Sequence, residues 1–471
     1  MRTSPLATAL RASGRSFEYN EASPGPMPPT LSSCNARRPG RASAAVRWAA
    51  SFFLAVALGA ATAARAMPPG PAGPWFEAGD ELPTWVSAVR VLRADEAILA
   101  DADGSAPRRG SASLETRLPL FGSRQGPGCR ARWLAVGPRA WICGDHVELA
   151  RGAPIAFDAW THPPAADGLP YRYHFVGANG SYGYRDPRVV EIGNPDVQLE
   201  PGFAVAVAEE RSIDGAVYGR TGAGVWVPMR DLNPTRSFAF EGTELTLADG
   251  ATSVPYAWVV VPTATVYAGP STTRATAETV AQFVRVDVLE EAGRPERMVR
   301  IGDARWVRGK DVRRPTLAAP PSEVDVARGE RWIDVELATQ TLVAYEGARP
   351  VFATLVSSGK GRPGSGNDTP AGTFRVWAKL DTSHMDNLEQ EGANRYYRME
   401  NVPWVQYFSK GVGLHGAYWH RSFGNVRSHG CVNLAPLDAQ RLFSFTSPRL
   451  PAGWTAVLPS EGERGSVVRV R

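Results

Sequence analysis

Between residues 83 and 314, hydrophobic and polar positions alternate over short runs that glycine and proline keep interrupting. ETRLPLFGSRQGPG, PGFAVAVAEERSIDG and AQFVRVDVLEEAGRPE each read as period-two strands broken by turn residues, the pattern of small all-β units. A related signature goes with each: Trp141-Ile142 with Asp145, Trp226-Val227 with Asp231-Leu232, and Trp306-Val307 with Asp311-Val312. The recurrence at a spacing of 85 and then 80 residues is a weak internal repeat. It predicts small β-barrel modules at 83–150, 165–235 and 253–314, with the tryptophans in their cores. One irregular β domain with a recurring Trp-Val strand is the alternative.

Residues 315–329, rich in Pro, Ala and charge, predict a linker. Beyond it, RWIDVEL alternates, ATQT reads as a turn, and LVAYEG and PVFATLVSSG read as further strands of an antiparallel meander. The turn Thr369-Pro370-Ala371-Gly372 leads into another strand. After the aromatic stretch YYRMENVPWVQYF come KGVGLHG, a long loop and SHGCVNL. APLDAQRLFSF, with Pro436 in its first turn, is the one short helix expected, and WTAVLP the closing strand. The fold class is therefore mostly β, with small β-barrel modules ahead of a β-rich domain at 330–460.

Length and composition narrow the class. A chain of 471 residues has room for three or four domains. With 43% hydrophobic and 21% charged residues it is not disordered, collagen-like or polytopic. Net charge is +5, but residues 1–66 hold eight arginines against Glu18 and Glu21, which leaves −1 on the rest. The basic excess thus belongs to a segment expected to be removed, and no nucleic-acid partner is expected. Arg47 precedes the uncharged run WAASFFLAVALGAATAA (Trp48 to Ala64), and Ala64-Arg65-Ala66 follows it as a small-x-small site. That is the layout of a signal peptide cut after Ala66. Seventeen apolar residues lie at the lower edge for a membrane span, so an uncleaved anchor is the alternative and the only membrane contact expected. Either way the protein is expected in the periplasm or cell wall. Cys129 and Cys143 flank a hairpin-like stretch with a Gly137-Pro138 turn, which an oxidising compartment would favour bridging; two buried thiols are the alternative. Cys34 falls in the targeting segment, and Cys431 is left over.

Candidate chemistry concentrates in HGAYWHRSFGNVRSHGCVNL, His415 to Leu434, which holds three of the seven histidines. A free thiol is only a few per cent thiolate at neutral pH, and the thiolate is the nucleophile. An imidazole titrates near that pH and can take the proton. Gly430 leaves the backbone before Cys431 uncrowded, so amides there can face a developing oxyanion. The helix expected near Ala435 adds a modest dipole that favours an anion.

His415, the thirteen residues Gly416–Ser428, and then His429-Gly430-Cys431-Val432-Asn433 resemble the signature of the L,D-transpeptidases (YkuD-type catalytic domain). IDVELATQTLVAYEG and SGKGRPGSGNDTPAGTFRV look like that family's opening strands and Thr-Pro-x-Gly turn, so the resemblance covers roughly 330–460. The upstream units resemble bacterial Src-homology-3-like modules. The resemblance implies a β-sandwich and a reaction in which a cysteine attacks the L,D-amide of a peptidoglycan stem peptide, releases D-Ala, and passes the acyl group to a second stem's amine. Donor and acceptor stems are the partners it implies, with 3-3 cross-links as the product.

Carried over by position, Cys431 is the nucleophile, His415 the base, and the Gly416 carbonyl its orienting partner. His429 and Gly430, with the Cys431 amide, shape the turn and oxyanion hole. Ser428 and Asn433 fill motif positions beside the substrate, Asn433 where other members carry Arg. Trp419, Tyr407, Tyr396, Tyr397 and Trp404 are groove candidates against core packing, and Arg427 could meet a substrate carboxylate. The same resemblance implies that carbapenems acylate Cys431.

Rival readings remain. His415, His420, His429 and Cys431 form a Cys/His cluster, but no HExxH and no finger spacing is present, so no metal is expected, and no organic cofactor. His384 in DTSHMD reads as a polar loop residue, and His420 as a supporting one. Hydrolysis of the same acyl-enzyme (an L,D-carboxypeptidase), attachment of a wall protein, and a non-catalytic wall-binding role stay open.

Overall fold

RWIDVEL and the segments after it form ten strands and one helix. These are β1 (Arg331–Glu336), β2 (Thr341–Glu346), β3 (Arg349–Leu355), β4 (Gly372–Arg375), β5 (Ala378–Asp386), β6 (Arg398–Ser409), β7 (Val412–Gly416), β8 (Val432–Leu434), α1 (Pro436–Phe445), β9 (Trp454–Val457) and β10 (Val467–Val470). The computed structural model describes residues 75–76, 82–156, 159–190, 192–235, 240–247, 251–293, 296–388 and 397–471. The targeting segment with Cys34, and Tyr396, lie outside them. Among the described residues no helix is long and apolar enough to cross a membrane.

Two sheets build the C-terminal region. One runs β3–β2–β1–β10–β4, with Thr243–Glu244 added at the β3 edge; the other runs β9–β5–β6–β7–β8. Ile333, Val335, Leu342, Ala344 and Phe352 of the first meet Trp404, Phe408, Leu414, Val432 and Leu434 of the second, with Ala439, Leu442 and Phe443 of α1 filling the same core. Alternation in β1 to β3 thus does what a strand's period-two geometry requires. The outward set is not solvated, however. Trp332, Val343, Tyr345, Ala353 and Leu355 enter a second core with Phe240, Val254, Tyr256 and Trp258. Residues 315–329 help cover that face: Tyr345 accepts from the Ala318 amide, and Arg375 donates to Glu323 O.

α1 begins where expected, with Pro436 in its first turn and Ala435 as N-cap. Its C-terminal end is held by Lys379, fully buried on β5, whose Nζ donates to the carbonyls of Phe443 at 2.5 Å and Thr446 at 2.9 Å. Burial lowers this amine to about 7.

Upstream, the repeat seen in the tryptophans is a repeat of topology. Ala88–Val91 lies between Arg117–Pro119 and Val147–Ala150, just as Tyr256–Val259 lies between Arg285–Asp287 and Val312–Arg313. Each set is accompanied by a second sheet of matching order. In one it is Gly122–Arg124, Trp133–Gly137, Ala140–Cys143, Glu96–Leu99, Arg108–Ala112; in the other Glu290–Ala292, Met298–Gly302, Arg305–Arg308, Thr263–Tyr267, Ala275–Ala281. Both regions therefore pair as two sheets apiece rather than as one closed barrel. The middle region repeats part of this plan, with Arg172–Val176 between Ala204–Ile213 and Leu232–Pro234. Trp141, Trp226 and Trp306 are buried, each on a strand that runs into a short 3-10 turn carrying Asp145, Asp231 or Asp311. Cys129 and Cys143 are bridged.

The first two regions continue the C-terminal sheet. Arg108–Ala112 pairs antiparallel with β9, and Ala204 pairs with Met399 of β6.

Candidate active site

β7 and β8 run parallel, with Leu414 opposite Val432 and His415 opposite Asn433, so the two ends of the His415–Cys431 segment lie side by side. The turn before β8 is fixed from within. Ser428 Oγ donates to Cys431 O and accepts the Gly430 amide at 3.1 Å. Thr369 Oγ1 donates to Gly430 O at 2.6 Å and accepts the Gly359 amide at 2.8 Å. Gly430 itself sits at φ +135°, a conformation side-chain-bearing residues rarely adopt. Its amide is engaged by Ser428 and is not a free oxyanion donor in this state.

His415 is buried at 2% exposure. Its Nδ1 lies 3.2 Å from Gly416 O. A carbonyl can only accept, so Nδ1 carries the proton and Nε2 the lone pair. Burial lowers this imidazole to about 4, which keeps it neutral near pH 7. Trp419 stacks against the ring, with centroids 5.7 Å apart and planes 30° apart.

Cys431 is partly exposed and is the free cysteine among the described residues. Its thiol donates to Gly411 O at 3.7 Å. Burial of the sulfur raises its pKa above the ordinary value, and the Gly413 amide partly offsets that rise. The resting pair is thus a neutral thiol and a neutral imidazole, not a thiolate–imidazolium pair. The α1 dipole adds nothing here, because all of β8 separates Cys431 from Pro436, beyond the reach of a helix end.

The other candidates divide clearly. Asn433 is buried, with Nδ2 drawn 2.9 Å from His420 Nε2, while the Ser422 amide donates to His420 Nδ1 at 3.1 Å. With Nδ1 accepting, Nε2 must carry the imidazole proton, so the Asn433 amide presents its oxygen to it. His420, with burial lowering it to about 3, is a neutral link from this loop to β8. Ser428 is also buried, and both hydrogen bonds of its hydroxyl stay within the turn. Arg427 is exposed. His429 is exposed and stacks on Tyr397 at 5.4 Å. Tyr407 stacks on Trp377, and its hydroxyl lies 3.2 Å from Ser383 Oγ. Both Tyr397 and Tyr407 are raised by burial, and a charge on Cys431 would raise them further.

Trp404 is a core residue, 1% exposed, with Nε1 donating to Gly168 O at 2.6 Å, and so lines no groove. His384 lies on β5 rather than in a loop, and its Nδ1 accepts from the Asn401 amide. The four histidine and cysteine side chains weighed as zinc ligands face four different partners: Gly416 O, Asn433, Tyr397 and Gly411 O. Two supports escaped the sequence reading. Thr369 was placed in a turn with no hint of its tie to Gly430, sixty-one positions away. Likewise, nothing local pairs His420 with Asn433.

Residues 330–464 match the YkuD L,D-transpeptidase catalytic domain. None of the curated proteins compared matches the chain. Among solved structures, a crystal structure of a mutant Enterococcus faecium L,D-transpeptidase is similar at 24% identity over 30% of this chain and 50% of that one, with a TM-score of 0.23. The solution structure of the catalytic domain from the E. faecium enzyme is similar at 24% over 30% of this chain and 98% of that one, TM-score 0.24. An L,D-transpeptidase from Stackebrandtia nassauensis is similar at 24% over 32% and 58%, TM-score 0.22. The chain thus spans about half the length of the first of these proteins.

Proposed function

We propose, taking the match of residues 330–464 to the L,D-transpeptidase catalytic domain as the premise, that the protein is a cysteine-dependent L,D-transpeptidase acting on peptidoglycan stem peptides outside the cytoplasm. The observation that carries the reading is the parallel pairing of β7 with β8. It sets a neutral, Nδ1-protonated His415 on the strand beside β8, which starts one residue after Cys431.

The Cys431 thiol turns from Gly411 O toward His415. His415 Nε2 takes its proton as the sulfur attacks the carbonyl carbon of the donor stem's L,D-amide. The Cys431 amide meets the oxyanion. Collapse breaks the C–N bond, and the imidazolium returns the proton to the departing D-Ala amine, leaving a thioester. An acceptor stem's side-chain amine then attacks the thioester, loses its proton to His415, and the C–S bond breaks. Gly416 O holds the imidazole in the tautomer this requires, the task a carboxylate performs in other triads. Neutral partners at rest suit this sequence, since charge then develops only where a substrate is present to be attacked.

His429, Tyr397, Tyr407 and Arg427 contact the stem; Ser428 and Asn433 brace the turn and β8. With an amine acceptor the product is a 3-3 cross-link, and with water a tripeptide. Incubating purified protein with tetrapeptide stems and analysing the products by mass spectrometry tests the reading. Cross-linked dimers plus D-Ala are expected. Tripeptide alone would make it a carboxypeptidase, and unconsumed tetrapeptide would overturn the proposal.

A further inference from the structure

The loop between His415 and Cys431 is held by residues that lie outside the 330–464 match. Gln282 Nε2 donates to Arg421 O at 3.1 Å and to Val260 O at 3.4 Å. Arg313 Nε donates to Gly424 O at 3.0 Å, and its Nη2 to Asn425 Oδ1 at 3.4 Å. Asn425 returns a hydrogen bond from Nδ2 to Val260 O at 3.4 Å. Phe423, fully buried, packs with Phe240, Trp258 and Val260. Gly424 sits at φ +88°, and a Cβ there would overlap Val260 Cγ1. The loop backbone is therefore pressed against the third β region with no room for a side chain between them.

The opposite side of the loop is tied to the end of β3. Gly424 N donates to Val356 O at 2.8 Å and Ser357 Oγ to Ser422 O at 3.0 Å. From this clamped segment two short paths lead to the reacting groups. The Ser422 amide fixes His420, which fixes Asn433 on β8, two residues past Cys431. In the other direction Trp419 adjoins His420 and stacks on His415.

We propose that the third β region, 253–314, is a working part of the active site: Gln282 and Arg313 are positioning residues that clamp loop 421–425 and thereby hold His415 and Cys431 in reacting register. The proposal rests on the reading that this pair performs the acyl transfer. It separates this region from a mere spacer, which would touch the catalytic domain without holding the loop that carries its chemistry. Displacements of about 1 Å at a reacting pair cost on the order of tenfold to a hundredfold in rate, so a few hydrogen bonds to a loop backbone are enough to matter.

The test uses the full chain with Cys34→Ala, so that Cys431 is the one free thiol, and compares it with Gln282→Ala/Arg313→Ala and with Arg313→Lys. Three quantities are read: kcat and KM on tetrapeptide stems, the pH profile of Cys431 alkylation by iodoacetamide, and Tm. The double variant is expected to lose about tenfold in kcat with KM little changed. Its alkylation profile is expected to shift while Tm stays within a few degrees, and Arg313→Lys should recover part of the loss by restoring one bond to Gly424 O. An unchanged kcat and an unchanged alkylation profile in the folded double variant would overturn the proposal. If the double variant fails to fold, Gln282→Ala alone is judged by the same criteria. Should the parent turn over no stems while the double variant still shifts the alkylation profile, the clamp stands and the transpeptidase reading fails.

Discussion

The first and third β regions share one strand order and join the C-terminal domain in opposite ways. The first is continuous with it through the backbone: Trp454, Ala456 and Val457 of β9 pair with Ala112, Ser111 and Gly110. Among the described residues the third region's strands pair within its own two sheets and join the domain through side chains: Val254, Tyr256, Trp258 and Val260 share a core with Trp332, Val343 and Tyr345, and Gln282 and Arg313 hold the loop of the candidate active site. Backbone pairing extends a core and resists shear. Side chains packed into a shared core add stability as well, and those that reach a loop also fix where that loop lies. A single architecture, used twice, thus extends a sheet at one end and positions a loop at the other.

The comparison sets an order of effects. The largest belongs to the reacting pair itself: Cys431→Ala or His415→Ala should reduce stem cross-linking by about a thousandfold or more without lowering Tm appreciably, assayed by product mass spectrometry and thermal melting. Next comes the first junction. A side chain at Gly110 would collide with Ala456 O and the Trp454 ring, so Gly110→Val should cost about 3 kcal/mol, a clear drop in Tm. Turnover measured below the new transition should remain near the parent's. A variant that keeps its Tm and loses turnover would reverse the roles assigned to the two junctions.

A smaller effect comes from pH. Asp381 is buried on β5 beside that first junction, with Oδ2 unpartnered, and burial raises its carboxyl to about 8 from an ordinary 3.8. Between those values the folded state holds a proton on Asp381 that the unfolded state has lost, so this group's contribution to stability falls as pH rises from about 4 to about 8, and Asp438, raised by burial to about 7, adds to the fall. His415 and His384, lowered to about 4, and His420, lowered to about 3, oppose it up to the ordinary imidazole value of 6.5, and Lys379 opposes it above pH 7, where the unfolded state holds the extra proton. Asp381→Asn should therefore make the slope of Tm against pH between pH 5 and pH 7 more positive than the parent's, with cross-linking activity retained. A slope unchanged by that substitution would remove Asp381 from the account.

How much of this the sequence disclosed follows from how local each cause is. α1 was legible because Pro436 and the apolar spacing act within three turns. The hairpin bringing Cys129 to Cys143 was legible because its turn lies between them. The Trp–Asp signatures were legible because each marks the same strand and 3-10 turn. Both faces of β1 and β2 being buried was not, since Trp332 and Tyr345 look like ordinary outward residues until a second core covers them. The neutral state of His415 and Cys431 depends on desolvation by distant chain, and the expected dipole assistance vanished because β8 intervenes. Gln282 and Arg313 carry no local mark at all, because their role is defined by a loop more than a hundred residues downstream.

Covalent acylation of Cys431 by a stem peptide is the step on which the proposed reaction depends. Intact-protein and peptide-level mass spectrometry after rapid acid quench with tetrapeptide stems measures this directly. A tripeptidyl thioester on Cys431, absent in His415→Ala, is the expected result; tetrapeptide consumed with Cys431 never modified, or an adduct on another residue, would contradict it.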